Sequence, residues 1–171
     1  MKPFTNYLKA LFLLFIGACC CIYAANAQDS KKVKDSLQAV AVKNLIEAKN
    51  YVFEVQSVTP MKGGTRQLTT GYTLKVLKDT VISDMPYFGR AYQASLDMSD
   101  AGVKFVSTDF EYTTVNRKKG GWDVSIKPND VRNFKELTLT IYDNGSASLY
   151  VTPNDRQSIS YRGYITGQKQ K

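Results

Sequence analysis

The chain of 171 residues has no histidine, three cysteines side by side at Cys19, Cys20 and Cys21, and a formal net charge of +8. Histidine is the usual general base of triad hydrolases and, with cysteine, the commonest transition-metal ligand. The composition therefore argues against triad hydrolysis and zinc chemistry, and it calls for no cofactor. The basic excess is mild and scattered, without a stripe of cations interleaved with aromatics, so nucleic acid is not an expected partner.

Residues 1–27 have the three parts of an export signal: Lys2 and Lys9, an uncharged apolar run from Ala10 to Ala24, and the small-residue exit Ala25-Asn26-Ala27. The run is shorter than the roughly 20 residues that a membrane-spanning helix needs. Cleavage before Gln28 removes every cysteine, and with them any disulfide framework, and lowers the formal net charge from +8 to +6. The alternative is a lipoprotein signal, because Ile16-Gly17-Ala18-Cys19 resembles a lipobox whose Cys19 would be acylated. The expected location is the periplasm or cell envelope, with membrane attachment only if Cys19 carries a lipid. Residues 28–171 fit one domain.

From residue 30 to 50, Val33, Leu37, Val40, Ala41, Leu45 and Ala48 fall on one stripe at helical spacing and predict an amphipathic helix. Strand alternation begins at Tyr51, Phe53 and Val55 and is stopped by Pro60. Met61-Lys62-Gly63-Gly64-Thr65 reads as a loop, and Tyr72, Leu74 and Val76 as a second strand, followed by a turn near Lys78-Asp79. Alternation resumes at Val103 and Phe105 and changes phase near Thr108, which implies a bulge or break. It then runs through Phe110 and Tyr112 to a basic hairpin tip, Arg117 to Gly121, and returns through Trp122, Val124 and Ile126.

The last forty or so residues permit a register argument. A three-residue loop, Asp143-Asn144-Gly145, sets Ile141 against Ala147, Leu139 against Leu149 and Leu137 against Val151, and predicts Gly145 at positive φ in a bulged turn. The next turn sets Val151 against Ile159, Leu149 against Tyr161 and Ala147 against Gly163. That last small pair leaves room on the inner face for a bulky neighbour or a small cavity. The opposite face carries Thr140, Tyr142, Tyr150, Arg162 and Tyr164. Tyrosines so placed are ordinary strand formers, or a contact platform for sugar or protein.

The expected fold is mainly β with one N-terminal helix: an antiparallel, strongly curved sheet of about seven to nine strands, as a barrel or two-layer sandwich in up-and-down order. The alternative is an α+β open sheet with the helix on one face.

Asp84-Met85-Pro86-Tyr87-Phe88-Gly89-Arg90-Ala91-Tyr92 gathers Pro, Gly and three aromatics between strands. This segment is similar to the P-Y-F-G-R-A segment of the DUF4251 family, exported domains found mainly in Bacteroidota. The family's G-x-A-x-L-x-V run resembles Gly145, Ala147, Leu149 and Val151, and its N-x-R and S-Y-x-G ending resembles Asn154, Arg156, Ser160, Tyr161 and Gly163. The resemblance implies location and single-domain organisation, and no activity.

Tyr87, Phe88, Arg90 and Tyr92 are the candidate ligand-binding residues, with Arg90 suited to an anion; the same aromatics would alternatively plug one end of the sheet. The expected role is a non-catalytic envelope domain that binds an apolar or anionic small molecule or another envelope protein. One alternative is an assembly protein docking through a sheet edge or the tyrosine face. Another is a carboxylate-dependent hydrolase drawing on Asp84, Asp97, Asp100, Asp109 and Glu111.

Overall fold

The computed structural model describes residues 32–69, 71–90 and 102–168. The chain divides into two compact units, Met1–Leu37 and Gln38–Lys171. Helix α1 covers residues 32–47 and crosses the division, so that its second half belongs with the strands. Ten strands follow: β1 (Tyr51–Pro60), β2 (Arg66–Gln67), β3 (Thr73–Val76), β4 (Val81–Pro86), β5 (Gly102–Ser107), β6 (Phe110–Asn116), β7 (Trp122–Pro128), β8 (Phe134–Ile141), β9 (Ser146–Pro153) and β10 (Ile159–Gly167).

Every pairing is antiparallel, and the order is β5-β4-β3-β1-β10-β9-β8-β7-β6, with the short β2 on β1. Its two edges, β5 and β6, are consecutive in the chain and joined only through Thr108 and Asp109. Wrapped around, the sheet is therefore a nearly closed up-and-down barrel whose seam lies between β5 and β6. The break near Thr108 is this corner. Asp130, from the link between β7 and β8, ties it: one carboxylate oxygen accepts from Ser107 Oγ, and the other from the backbone N–H of Thr108 at 2.9 Å and of Asp109 at 3.3 Å.

Alternation puts one face of each strand inside. Tyr51, Phe53, Leu74, Met85, Ile126, Leu137, Leu139, Ile141, Leu149, Ile159 and Tyr161 are wholly buried and fill the barrel. The seam is crossed from within by the Phe105 and Phe134 rings, 5.1 Å apart. The register of β8, β9 and β10 is the one expected, pair for pair. The loop between β8 and β9 closes with Gly145 N–H donating to Tyr142 C=O at 2.8 Å, and Gly145 has φ +79°.

The room left by Ala147 and Gly163 is taken by backbone. A Cβ on Gly163 would lie 1.8 Å from the carbonyl oxygen of Glu54. Just beyond, β1 carries a bulge between Val55 and Ser57, which moves the inward positions from Tyr51, Phe53 and Val55 to Val58 and Pro60. Strand β1 is thus one continuous bulged strand.

The helix turns a different stripe inward from the one its spacing suggested. Val42 and Ile46 are buried in the core and Leu45 is half-buried, whereas Val33, Leu37, Val40, Ala41 and Ala48 are exposed. The helix is apolar on more than one side, and the contact with the barrel decides which side is used. Its end is a Schellman cap, in which Asn50 N–H donates to Leu45 C=O and Lys49 N–H to Ile46 C=O, both at 3.1 Å. Lys49 occupies the left-handed cap position at φ 49°, and its ammonium lies 4.9 Å from the Tyr112 ring centre. Tyr112 in turn donates to Ile46 C=O at 3.3 Å, fixing the helix end to β6.

Candidate functional site

The outer faces of β8, β9 and β10 follow from the same registers. Tyr150 stands between Thr138 and Ser160, and Ser148 between Thr140 and Arg162. In the next row Ser146 stands beside Tyr164, with Tyr142 at its other side through Tyr142 N–H donating to Ser146 C=O at 2.9 Å. A row of small hydroxyl side chains thus runs between Tyr150 on one side and Tyr142 on the other.

The result is a trough of about 510 Å³, lined by both tyrosines, the row of Thr and Ser residues, Gln56 and Arg162. Tyr150 and Ser146 are four residues apart on one strand, roughly 13 Å at strand rise. Tyr142 and Tyr150 are 44% and 43% exposed.

The polar groups of the trough divide into two sets. Thr140 Oγ1 donates to Asp123 at 2.7 Å, and Arg117 both pairs with Asp123 at 3.5 Å and lies 5.3 Å from the Tyr142 ring centre. These hold the Tyr142 end in place. In contrast the hydroxyls of Thr138, Ser148 and Ser160 and the guanidinium of Arg162 have no hydrogen-bond or ion-pair partner among the described residues. Tyr164 lies outside the trough; its hydroxyl donates to Glu54 at 2.7 Å, a bond that holds its pKa above the usual value because ionising it would face the carboxylate.

The segment after β4 is built differently. Tyr87 is half-buried, and its hydroxyl donates to Gln157 C=O at 2.8 Å and lies 3.1 Å from Arg90 C=O. Gly89 permits this fold-back, since a Cβ there would sit 2.1 Å from the Tyr87 hydroxyl. Beneath it Arg156, only 6% exposed, is held bidentately by Asp155 at 3.0 and 2.8 Å, with its guanidinium 5.2 Å from the Tyr87 ring centre and 6.0 Å from that of Phe134. The adjacent arginine holds the Asp155 carboxyl below its usual pKa. Burial pushes the Tyr161 hydroxyl far up, and that hydroxyl donates to Pro86 C=O at 2.8 Å.

Tyr87 and Arg156 thus close this end of the barrel. Phe88 and Arg90 stay exposed, with the Arg66 guanidinium 4.9 Å from the Phe88 ring centre. Tyr92 and Cys19 lie outside the described residues.

Of the acidic pool, Asp84 pairs with Lys104 at 3.1 Å, Asp109 accepts from Asn129 at 3.0 Å, and Glu111 is exposed; Asp97 and Asp100 lie outside the described residues. Gln56, Thr138 and Ser148 were not singled out by composition or motif, and Ser160 only as the first residue of the S-Y-x-G ending. Their signal was positional: they occupy the outward beats of strands whose inward beats are apolar, or, for Gln56, a bulge.

The model of one family, a domain of unknown function (DUF4251), matches residues 33–165. Comparison with curated proteins finds no match. Among solved structures, the chain is similar to the crystal structure, at 1.95 Å resolution, of a DUF4251 family protein from Bacteroides eggerthii DSM 20697. The two share 14% identity with a TM-score of 0.58, over 79% of this chain and 91% of that one, a likeness of fold. With the family model running from the start of the helix into β10, this chain belongs to the DUF4251 family.

Proposed function

We propose that the mature chain is an exported, non-catalytic binding domain that engages another component of the cell envelope through the outer face of β8, β9 and β10. One observation carries this reading: the trough between Tyr142 and Tyr150, which keeps large rings and unused hydroxyls open to solvent on the outer face of a barrel whose described inward positions are packed with side chains. Such a surface offers contact area at low entropic cost, and its hydroxyls, amide and guanidinium are suited to holding a ligand. Export is supported by the leader-like pattern of residues 1–27.

The test is recovery of wild type and a Tyr142→Ala/Tyr150→Ala variant, gently, from the cell envelope, followed by native and denaturing mass measurement. Wild type is expected to retain a molecule or partner chain that the variant lacks, with both unfolding at similar temperature. Retention by both would place the contact elsewhere. The denatured mass also separates a start at Gln28 from acylation at Cys19.

A second reading keeps the site at Phe88 and Arg90, joined by Arg66. It is favoured by the exposed ring beside a guanidinium, a surface suited to an anion. A Phe88→Ala/Arg90→Gln variant that loses what the trough variant keeps would select it.

A further inference from the structure

We infer that the trough takes a saccharide bearing carboxylates. This rests on the trough being the binding site, and it adds the chemical class of the occupant.

The floor sets the first constraint. Its backbone N–H and C=O groups are already spent in the ladders of β8, β9 and β10, so an extended peptide finds no main-chain partner there. What the floor offers is the hydroxyls of Thr138, Ser148 and Ser160, each able to donate and accept at once. A ligand that matches them carries many groups of the same dual character at short spacing, as a sugar ring does.

The walls set the second constraint. Tyr142 and Tyr150 are exposed rings with a polar tip, suited to covering the C–H face of a pyranose while the phenol stays in water. Arg117 already lies over the Tyr142 ring and pairs with Asp123, so this wall keeps its place whether or not a ligand is bound.

Charge sets the third. Arg162 stands in line with Ser148 and Thr140 and has no acidic partner among the described residues, and no carboxylate lines the trough. A guanidinium left so is complementary to a carboxylate, which it binds through paired N–H donors. A neutral sugar would satisfy the floor and walls and leave Arg162 unused.

The test is titration of the protein with an oligomer of α-1,4-linked galacturonate, the same oligomer fully methyl-esterified, and polyglutamate. The acid oligomer is expected to bind at least about tenfold more tightly than its neutral ester, and polyglutamate to bind more weakly than either. Arg162→Gln, at an exposed position, should fold as wild type and bind acid and ester alike, and Tyr150→Ala should weaken both.

Equal binding of acid and ester by wild type, or unchanged binding after Arg162→Gln, would overturn the assignment of the carboxylate. Polyglutamate binding as well as the sugar acid would overturn the saccharide. If no saccharide binds while the Tyr142→Ala/Tyr150→Ala variant still loses its envelope component, the ligand class is wrong and the site stands. If that variant loses nothing, the site itself is wrong.

Discussion

Gly163 shows how a single missing side chain decides a sheet. Its inward position is occupied by the Glu54 carbonyl, 1.8 Å from where a Cβ would be, and the β1 bulge begins beside it. Gly163→Ala is therefore expected to push β1 from β10 and to cost about 1–3 kcal/mol, as overpacking does. Ala147→Gly, on the other strand, should produce no such shift. Urea unfolding of the two variants measures the difference, and an unchanged Gly163→Ala midpoint would refute the close approach. The small pair was legible in the sequence as empty space. What filled it was not, because a backbone carbonyl leaves no mark in a pattern of side chains. Lys49 is the same kind of residue: its positive φ follows from the cap geometry, and its identity makes sense only once Tyr112 is beside it.

At the scale of elements, strands and helix were not equally readable. Strands β8 to β10 have one apolar face and one polar face, so a slip of one residue would expose Leu137, Leu139 and Leu149, and a single register survives. The helix is apolar on two sides, so spacing alone selected Val33, Leu37 and Val40, while the barrel selected Val42 and Ile46. The corner between β5 and β6 was visible as a change of phase, but Asp130, which ties it from a distant link, was not.

Hydrogen bonds from Ser107 foremost, then from the backbone N–H groups of Thr108, Asp109 and Asp130 itself, hold the Asp130 carboxyl below its usual pKa. A depressed acid contributes stability above its unfolded value, about 3.9, and that contribution is lost as pH falls through the folded value. Asp155, lowered by Arg156, acts in the same direction. Asp130→Asn is thus expected to be less stable than wild type at pH 7 and to lose less stability between about pH 5 and 2. Denaturant unfolding across that range checks it, and parallel pH profiles for the two proteins would contradict the role given to the carboxylate.

For the whole molecule, the described inward positions of the up-and-down barrel are packed with side chains, and its most open tyrosine rings lie on the outer face. Tyr51 and Tyr161 face inward and are wholly buried, Tyr87 closes one end, and Tyr142 and Tyr150 face outward. The same residue type therefore serves as core, plug and candidate contact, and position alone separates the roles. The sequence made the outward tyrosines visible by alternation. The trough needed the row of small residues between them, which has meaning only when three strands are side by side. The segment most distinctive as a motif, around Tyr87, is the one that the structure uses to close the barrel.

These tyrosines also provide the most direct measurement of the central claim. The protein carrying ¹³C-labelled tyrosine, followed by NMR as a solubilised envelope fraction is added, reports each ring separately. Tyr142 and Tyr150 are expected to shift or broaden while Tyr51, Tyr87 and Tyr161 stay fixed. Shifts confined to Tyr87, or no change at any ring, would contradict recognition through the outer trough.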